Sequence, residues 1–411
     1  MLKKIIHGTM IYALGDMIVV GTTGFLLLPV YTKYLSKIDY ATYSIVMTNA
    51  TLLIYLSHFG LVSAFSRLYF DYSRQNKTNE YISTLLILHT TYVMALFLVL
   101  YLFSEPIWRL ISPQTSAIPF LFFAMGLAFF SFVPAMYSLL LRIQEKAYQF
   151  IAMQVATVAL IVCSTLYSLV YLEGDIEVML LYLVIANSLI WFISVGMISK
   201  YFIFSVNMEY VQKTLKFAWP IFLSYLAYFL LNKYGLIFLQ HYETLEQISY
   251  YTFAQQISLI LVIAGTAFGK VVQPMIYVQE KIDLQQLKKI TLYYRFLLTF
   301  IALALIAGAG PIIELLGSSK YTDSKVVFSI FIIANYFYLF SQIESFVLMY
   351  YKRSLQIMYI TAGGALSVII LGMIFIPIYG IIAGAFALLG GNFLIAMVNI
   401  YAAKKLIYKE N

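Results

Sequence analysis

Apolar runs of about twenty residues recur from one end of this chain to the other, and few folds can hold them. That length is what an α-helix needs to cross ~30 Å of hydrocarbon. In lipid every backbone N–H and C=O must find its partner inside the protein, which leaves helices or a closed barrel. The runs are twice too long for barrel strands. Of 411 residues, 62% are hydrophobic and only 11% charged, whereas soluble domains approach ~25% charged. The chain therefore reads as all-α, a polytopic membrane protein with no separate soluble domain.

Reading apolar runs between charge clusters places spans at Thr9 to Tyr34, Tyr40 to Phe65, Tyr81 to Phe103, Ile118 to Leu141, Ile151 to Leu172 and Val178 to Ile198. Six more follow at Phe217 to Leu239, Tyr250 to Ile276, Leu292 to Ile313, Val326 to Met349, Leu355 to Ile376 and Ile381 to Ala402. The count is about 12. The long first run has no small-residue cleavage site after Lys3-Lys4, which argues for a retained span and against a removed signal peptide.

Cytoplasmic loops carry an excess of Lys and Arg. Under this topology the 26 basic residues divide 20 to 6, the minority being Lys33, Lys37, Arg109, Lys233, Lys320 and Lys325. Both termini are expected in the cytoplasm. Loops are short, and the longest, Ser199 to Lys216, falls near the midpoint. The expected organisation is an N-terminal six-helix lobe over 1–199, a cytoplasmic linker over 200–216 and a C-terminal six-helix lobe over 217–411. Weak internal repetition supports two halves: Leu35-Ser36-Lys37-Ile38-Asp39-Tyr40-Ala41-Thr42-Tyr43 after span one resembles Glu243-Thr244-Leu245-Glu246-Gln247-Ile248-Ser249-Tyr250-Tyr251 after span seven, each a polar turn with a Tyr-rich entry. Transporters are often built from such repeats.

A charge at mid-membrane costs at least ~2.5 kcal/mol on insertion scales, so each one needs a partner, a wet cavity or an escape to the interface. Lys233, beside Asn232 in a stretch of Tyr, Phe and Leu, is the foremost site candidate. Either it meets an anionic head group, or it snorkels or neutralises Glu344 or Asp16. Arg67 and Lys270, at the cytoplasmic ends of spans two and eight, read either as anion ligands or as interface anchors. Asp16, beside Gly15, could couple transport to protons or sodium, or form a structural pair. Glu344, with Ser341 and Gln342 one turn earlier, makes a polar patch that must face a cavity or another helix.

His58 and His89 have no Cys, His or carboxylate at metal spacing and read as packing or hydrogen-bonding residues. The lone Cys163 offers no disulfide framework. No metal or cofactor is expected, and nothing resembles a phosphate-binding glycine loop or a catalytic motif. The net charge of +8 sits in short clusters between apolar runs, so no nucleic-acid partner is expected. Pro29, Pro220, Pro274 and Pro377 each remove a helical hydrogen bond and permit a bend.

Three stretches carry a family likeness: Leu28-Pro29-Val30-Tyr31-Thr32-Lys33-Tyr34-Leu35 with Tyr40 and Tyr43; Phe59-Gly60-Leu61-Val62-Ser63-Ala64-Phe65-Ser66-Arg67; and Ala267 to Tyr277 around Pro274. With the twelve-span plan they resemble the polysaccharide flippases of the multidrug, oligosaccharidyl-lipid and polysaccharide exporter superfamily, which move O-antigen or capsule repeat units. His58 departs from the pattern, where relatives often carry an acid.

The resemblance implies two six-helix lobes around a central cavity in the bacterial inner membrane. Arg67, Lys233 and Lys270 would meet the pyrophosphate of a lipid-linked oligosaccharide. Membrane lipids, a polysaccharide polymerase and a chain-length regulator are the implied partners. The reading is a transporter and not an enzyme. A cation-coupled drug exporter of the same superfamily is the nearest rival, kept open by Asp16 and Glu344. A membrane polymerase or glycosyltransferase is disfavoured by the short outer loops, and a structural scaffold by the buried charges.

Overall fold

The computed structural model describes residues 21–277 and 282–410, and within them all regular structure is helical. The chain divides into two compact units, 1–226 and 227–411.

In the first unit a π-helical turn, Thr22–Leu26, leads into α1 (Leu28–Tyr34), then α2 (Lys37–His58) and α3 (Leu61–Ser73). α4 (Thr78–Leu102), the short α5 (Ser104–Ile111), α6 (Phe120–Ile143), α7 (Ala147–Leu166) and α8 (Ile176–Ile198) follow. α9 (Met208–Leu239) begins inside the stretch read as linker, so residues 208–216 are helical, and the division between the units falls within it. The remaining linker is pinned to α4, where Ser83 Oγ accepts from Ile203 N–H at 2.8 Å and Thr84 Oγ1 from Asn207 N–H at 3.2 Å.

The second unit continues with α10 (Leu245–Tyr277), α11 (Leu284–Ala307), α12 (Ala309–Gly317), α13 (Lys325–Phe340), α14 (Gln342–Tyr350) and α15 (Ser354–Glu410). Among the described residues ten helical stretches are long and apolar enough to cross a membrane. The last, of 54 residues, would run ~80 Å if straight. It breaks at Gly380 (φ 55°, ψ −133°), three residues after Pro377, and so supplies two crossings. With the end of the first span at Thr22–Tyr34, the architecture is consistent with about twelve.

Two spans begin at matching side-chain caps. Ser36 caps α2 by accepting from Asp39 N–H at 3.1 Å, and Thr244 caps α10 by accepting from Gln247 N–H at 3.3 Å. These are equivalent positions of the weak sequence repeat, so what the repeat encodes is a helix N-cap. Inside unit 1, α6 is the central rod, packed against α2 and α8; inside unit 2, α13 packs against α15 and α10. Polar side chains in these seams are satisfied across helices: Asn335 donates to Ser258 Oγ at 2.9 Å and Asn392 to Ala334 O at 3.0 Å. Leu98, Phe192, Phe296 and Ile370 are each more than half exposed, which lipid and not water accommodates.

Candidate functional site

Lys233 lies near the C-terminal end of α9, half-buried among Leu, Tyr and Phe. Its Nζ donates to Gln255 Oε1 of α10 at 3.5 Å, and Gln255 Nε2 donates in turn to Asn232 O at 3.0 Å. The ammonium is thus held by a neutral amide. No carboxylate pairs with it among the described residues, so the pairing with Glu344 considered from sequence does not occur.

Lys270, on α10, is half-buried and makes no hydrogen bond or ion pair among the described residues. Beside it, Gly269 lets α14 approach closely, since an added Cβ would sit 2.9 Å from the Gln342 amide. Tyr294 donates to Gln342 Oε1 at 2.5 Å and fixes that amide. Arg67, on α3, pairs with Asp71 one turn on at 3.3 Å, with side chains 60% and 44% exposed. Asp16 lies outside the described residues. Among the described residues no bond joins Arg67, Lys233 or Lys270 to another residue singled out from sequence.

Glu344 faces Arg295, a residue that the charge tally had placed among the cytoplasmic basic residues. Arg295 stands at the middle of α11 and not at its end. Its Nη2 donates to Glu344 Oε1 at 2.6 Å, its Nε to Phe340 O at 3.2 Å, and its guanidinium lies 3.9 Å from the Phe340 ring centre. Asn399 of α15 donates to Ser341 Oγ at 3.3 Å and Ser345 Oγ at 3.0 Å, closing the patch from the other side. The missed signal was the distance of Arg295 from the cap at Asp283, about three helical turns.

Unit 1 holds a cavity of about 430 Å3 walled by α3, α6, α7 and α8. Ser131, Ser138 and Arg142 of α6, Gln154 and Thr157 of α7, and Asn187 of α8 supply its polar lining. His58 Nε2 stands 2.9 Å from Ser131 Oγ, and the His89 ring stacks on Phe132 at 3.6 Å between centres. His58 therefore hydrogen-bonds beside the cavity, whereas His89 packs on Phe132 with its Nε2 buried and without a hydrogen bond among the described residues. Sequence reasoning passed over this site because neutral Ser, Thr, Asn and Gln are ordinary in membrane helices. The spacing of Ser131 and Ser138 by two turns around Pro134 was the available signal.

The family model described as Polysaccharide biosynthesis protein matches residues 5–279. A Haemophilus influenzae protein, described as Lsg locus putative protein 1, is 24% identical over 343 residues, 81% of each chain. Among solved structures, the lipid II flippase MurJ in an inward closed conformation superposes with a TM-score of 0.81 at 20% identity, over 96% of this chain and 87% of that one. An inward-facing multidrug resistance MATE family transporter of the MOP superfamily gives 0.69 at 14% identity, over 98% and 95%. These likenesses establish the transporter fold.

Proposed function

The chain belongs to the polysaccharide biosynthesis protein family, and on that premise we propose that it is a flippase. It translocates undecaprenyl-pyrophosphate-linked oligosaccharide repeat units across the bacterial cytoplasmic membrane by alternating access, for O-antigen or capsule biosynthesis. Both termini lie in the cytoplasm. A polymerase and a chain-length regulator take over the cargo on the outer side. No covalent bond is made or broken by this chain.

The observation that carries the reading is Lys233: a cation within an apolar helix, held among the described residues by the amide of Gln255. An unneutralised ammonium in hydrocarbon is expensive, and so is the dianionic pyrophosphate. Each lowers the cost of the other. Arg67 supports the same use, because an exposed pair such as Arg67–Asp71 contributes ~0–1 kcal/mol and gives way to a stronger anion. Lys270 makes no ion pair among the described residues and supports the same use. The engagement of Glu344 by Arg295 supports its reading as a structural pair, leaving Asp16 as the candidate for proton or sodium coupling.

A cation-coupled drug exporter shares the fold. Lys233 and Lys270, without a carboxylate partner among the described residues, and the carboxylate of Glu344 occupied by Arg295 favour an anionic cargo over it. The test is complementation of a strain lacking the gene. Lys233→Ala should abolish surface polysaccharide and leave lipid-linked repeat units on the cytoplasmic leaflet, with Arg67→Ala and Lys270→Ala weakening export. Unchanged surface polysaccharide in all three variants would sink the assignment.

A further inference from the structure

The unit 1 cavity takes no part in the reading above, yet it is costly to keep empty. It runs along α6 from Arg142 to Ser131, about three turns or ~16 Å. Ser131 lies at the middle of a 24-residue helix and Asn187 at the middle of a 23-residue one, so its deep end sits at mid-membrane. Its volume of about 430 Å3 falls in the ~300–1,000 Å3 range of small-molecule sites.

Ser131 and Thr157 donate to Ala128 O and Met153 O of their own helices, but three other polar groups of the lining are short of protein partners. Gln154 and Ser138 make no hydrogen bond among the described residues. Asn187 gives its amide N–H to Leu183 O of its own helix at 2.8 Å, and its carbonyl oxygen receives none. Pro134 has no N–H to offer the carbonyl of Phe130, which also lines the space. Each unsatisfied polar group in hydrocarbon costs several kcal/mol. Their presence around one cavity calls for a hydrogen-bonding occupant.

The chemistry of that occupant follows from the lining. The Gln154 amide and the Ser138 hydroxyl can donate and accept, and the Asn187 carbonyl and the Thr157 hydroxyl oxygen can accept, which matches a ring bearing several hydroxyls. Phe130 and Ile190 offer apolar surface for the C–H face of such a ring. No Asp or Glu lines the cavity among the described residues, so neutral or acidic sugars are admitted alike. We propose that this cavity is a glycan-reading subsite that takes one sugar ring of the carried oligosaccharide, with Gln154, Asn187 and Ser138 reading its hydroxyls. The source of that sugar rests on the flippase reading; the site itself does not.

The test uses the full chain in phosphatidylcholine nanodiscs, in a Cys163→Ser background, with Ala135→Cys as a reporter on the cavity wall. A water-borne methanethiosulfonate reagent should label the reporter. At least one of three probes, the methyl glycosides of glucose, N-acetylglucosamine and glucuronic acid, should slow the labelling. Gln154→Leu and Asn187→Leu should each weaken that protection by about tenfold, the loss of a hydrogen-bonded contact. A lipid-facing control, Leu189→Cys, should be unaffected by any glycoside.

A reporter that no reagent reaches would mean a dry cavity and overturn the proposal. Labelling that no glycoside slows would mean water alone and overturn it equally. Should Lys233→Ala abolish export while no glycoside protects the reporter, the flippase reading stands and the subsite falls. If gene deletion leaves export intact but protection is seen, the flippase reading falls and the sugar site stands.

Discussion

Arg295 and Glu344 meet through one carboxylate oxygen only. Nη2 donates to Oε1 at 2.6 Å, while Oε2 is buried without a hydrogen bond. The side chains are 25% and 15% exposed, so water gives neither ion much relief. What holds the guanidinium in place is shared: the carboxylate, the Phe340 carbonyl and the Phe340 ring. The pair thereby fastens α11 to the break at Ser341 between α13 and α14, beside Gln342.

Breaking such a pair leaves an uncompensated charge, which costs more than removing both ions. Arg295→Met alone should destabilise the purified protein by about 3 kcal/mol. The double variant Arg295→Met with Glu344→Gln should recover most of that loss. A double-mutant cycle on detergent-solubilised protein measures the coupling, and simple additivity of the two single losses would show that the pair is incidental.

Arg67 and Asp71 present the opposite case, an exposed i,i+4 pair worth ~0.3–0.5 kcal/mol. Asp71→Asn and Arg67→Ala should therefore each leave the melting temperature nearly unchanged. Export should still drop in Arg67→Ala, because its role lies with the cargo. A large fall in stability would assign Arg67 to the fold instead.

What the sequence made legible follows from which forces act locally. Apolar runs and charge clusters report directly on lipid exposure, so spans such as Thr78–Leu102 and Ile176–Ile198 were found within a few residues. The N-caps at Ser36 and Thr244 were visible as a repeat because capping needs only nearby residues. Arg295 as partner of Glu344 was not legible, since the pairing joins residues far apart in the chain. The unit 1 cavity was hidden for the same reason: three helices each contribute ordinary polar residues, and only packing brings them together. The breaks at Phe59–Gly60 and Ser341 carry no proline to mark them, whereas α9 runs through Pro220 as one helix.

The break between α2 and α3 turns on two left-handed residues, Phe59 (φ 44°) and Gly60 (φ 72°). Phe59 tolerates this strain because its ring stacks on Phe222 at 4.5 Å and lies against Trp219 and Tyr92. Gly60 faces the backbone of α9, where an added Cβ would come 2.6 Å from Ala218 O. Gly60→Ala should cost at least ~1–2 kcal/mol from the dihedral alone, with steric cost on top. Thermal unfolding in detergent checks this, and a neutral result would mean that α9 stands farther from the break.

The elbow of α15 separates two contributions that usually come together. Gly380 adopts φ 55° and ψ −133°, a conformation that side chains rarely allow. An added Cβ there would also run into the Glu243 carboxylate, which sits against the turn. The carboxylate is the far end of a flexible side chain and can move away, whereas the dihedral cannot relax without straightening the elbow. Gly380→Ala should thus cost about 1–3 kcal/mol, the usual strain of a disfavoured backbone region. Adding Glu243→Ala should return less than half of that loss. Complete recovery in the double variant, measured by unfolding of the purified protein, would show that crowding and not backbone conformation sets the cost of the turn on which the last two crossings depend.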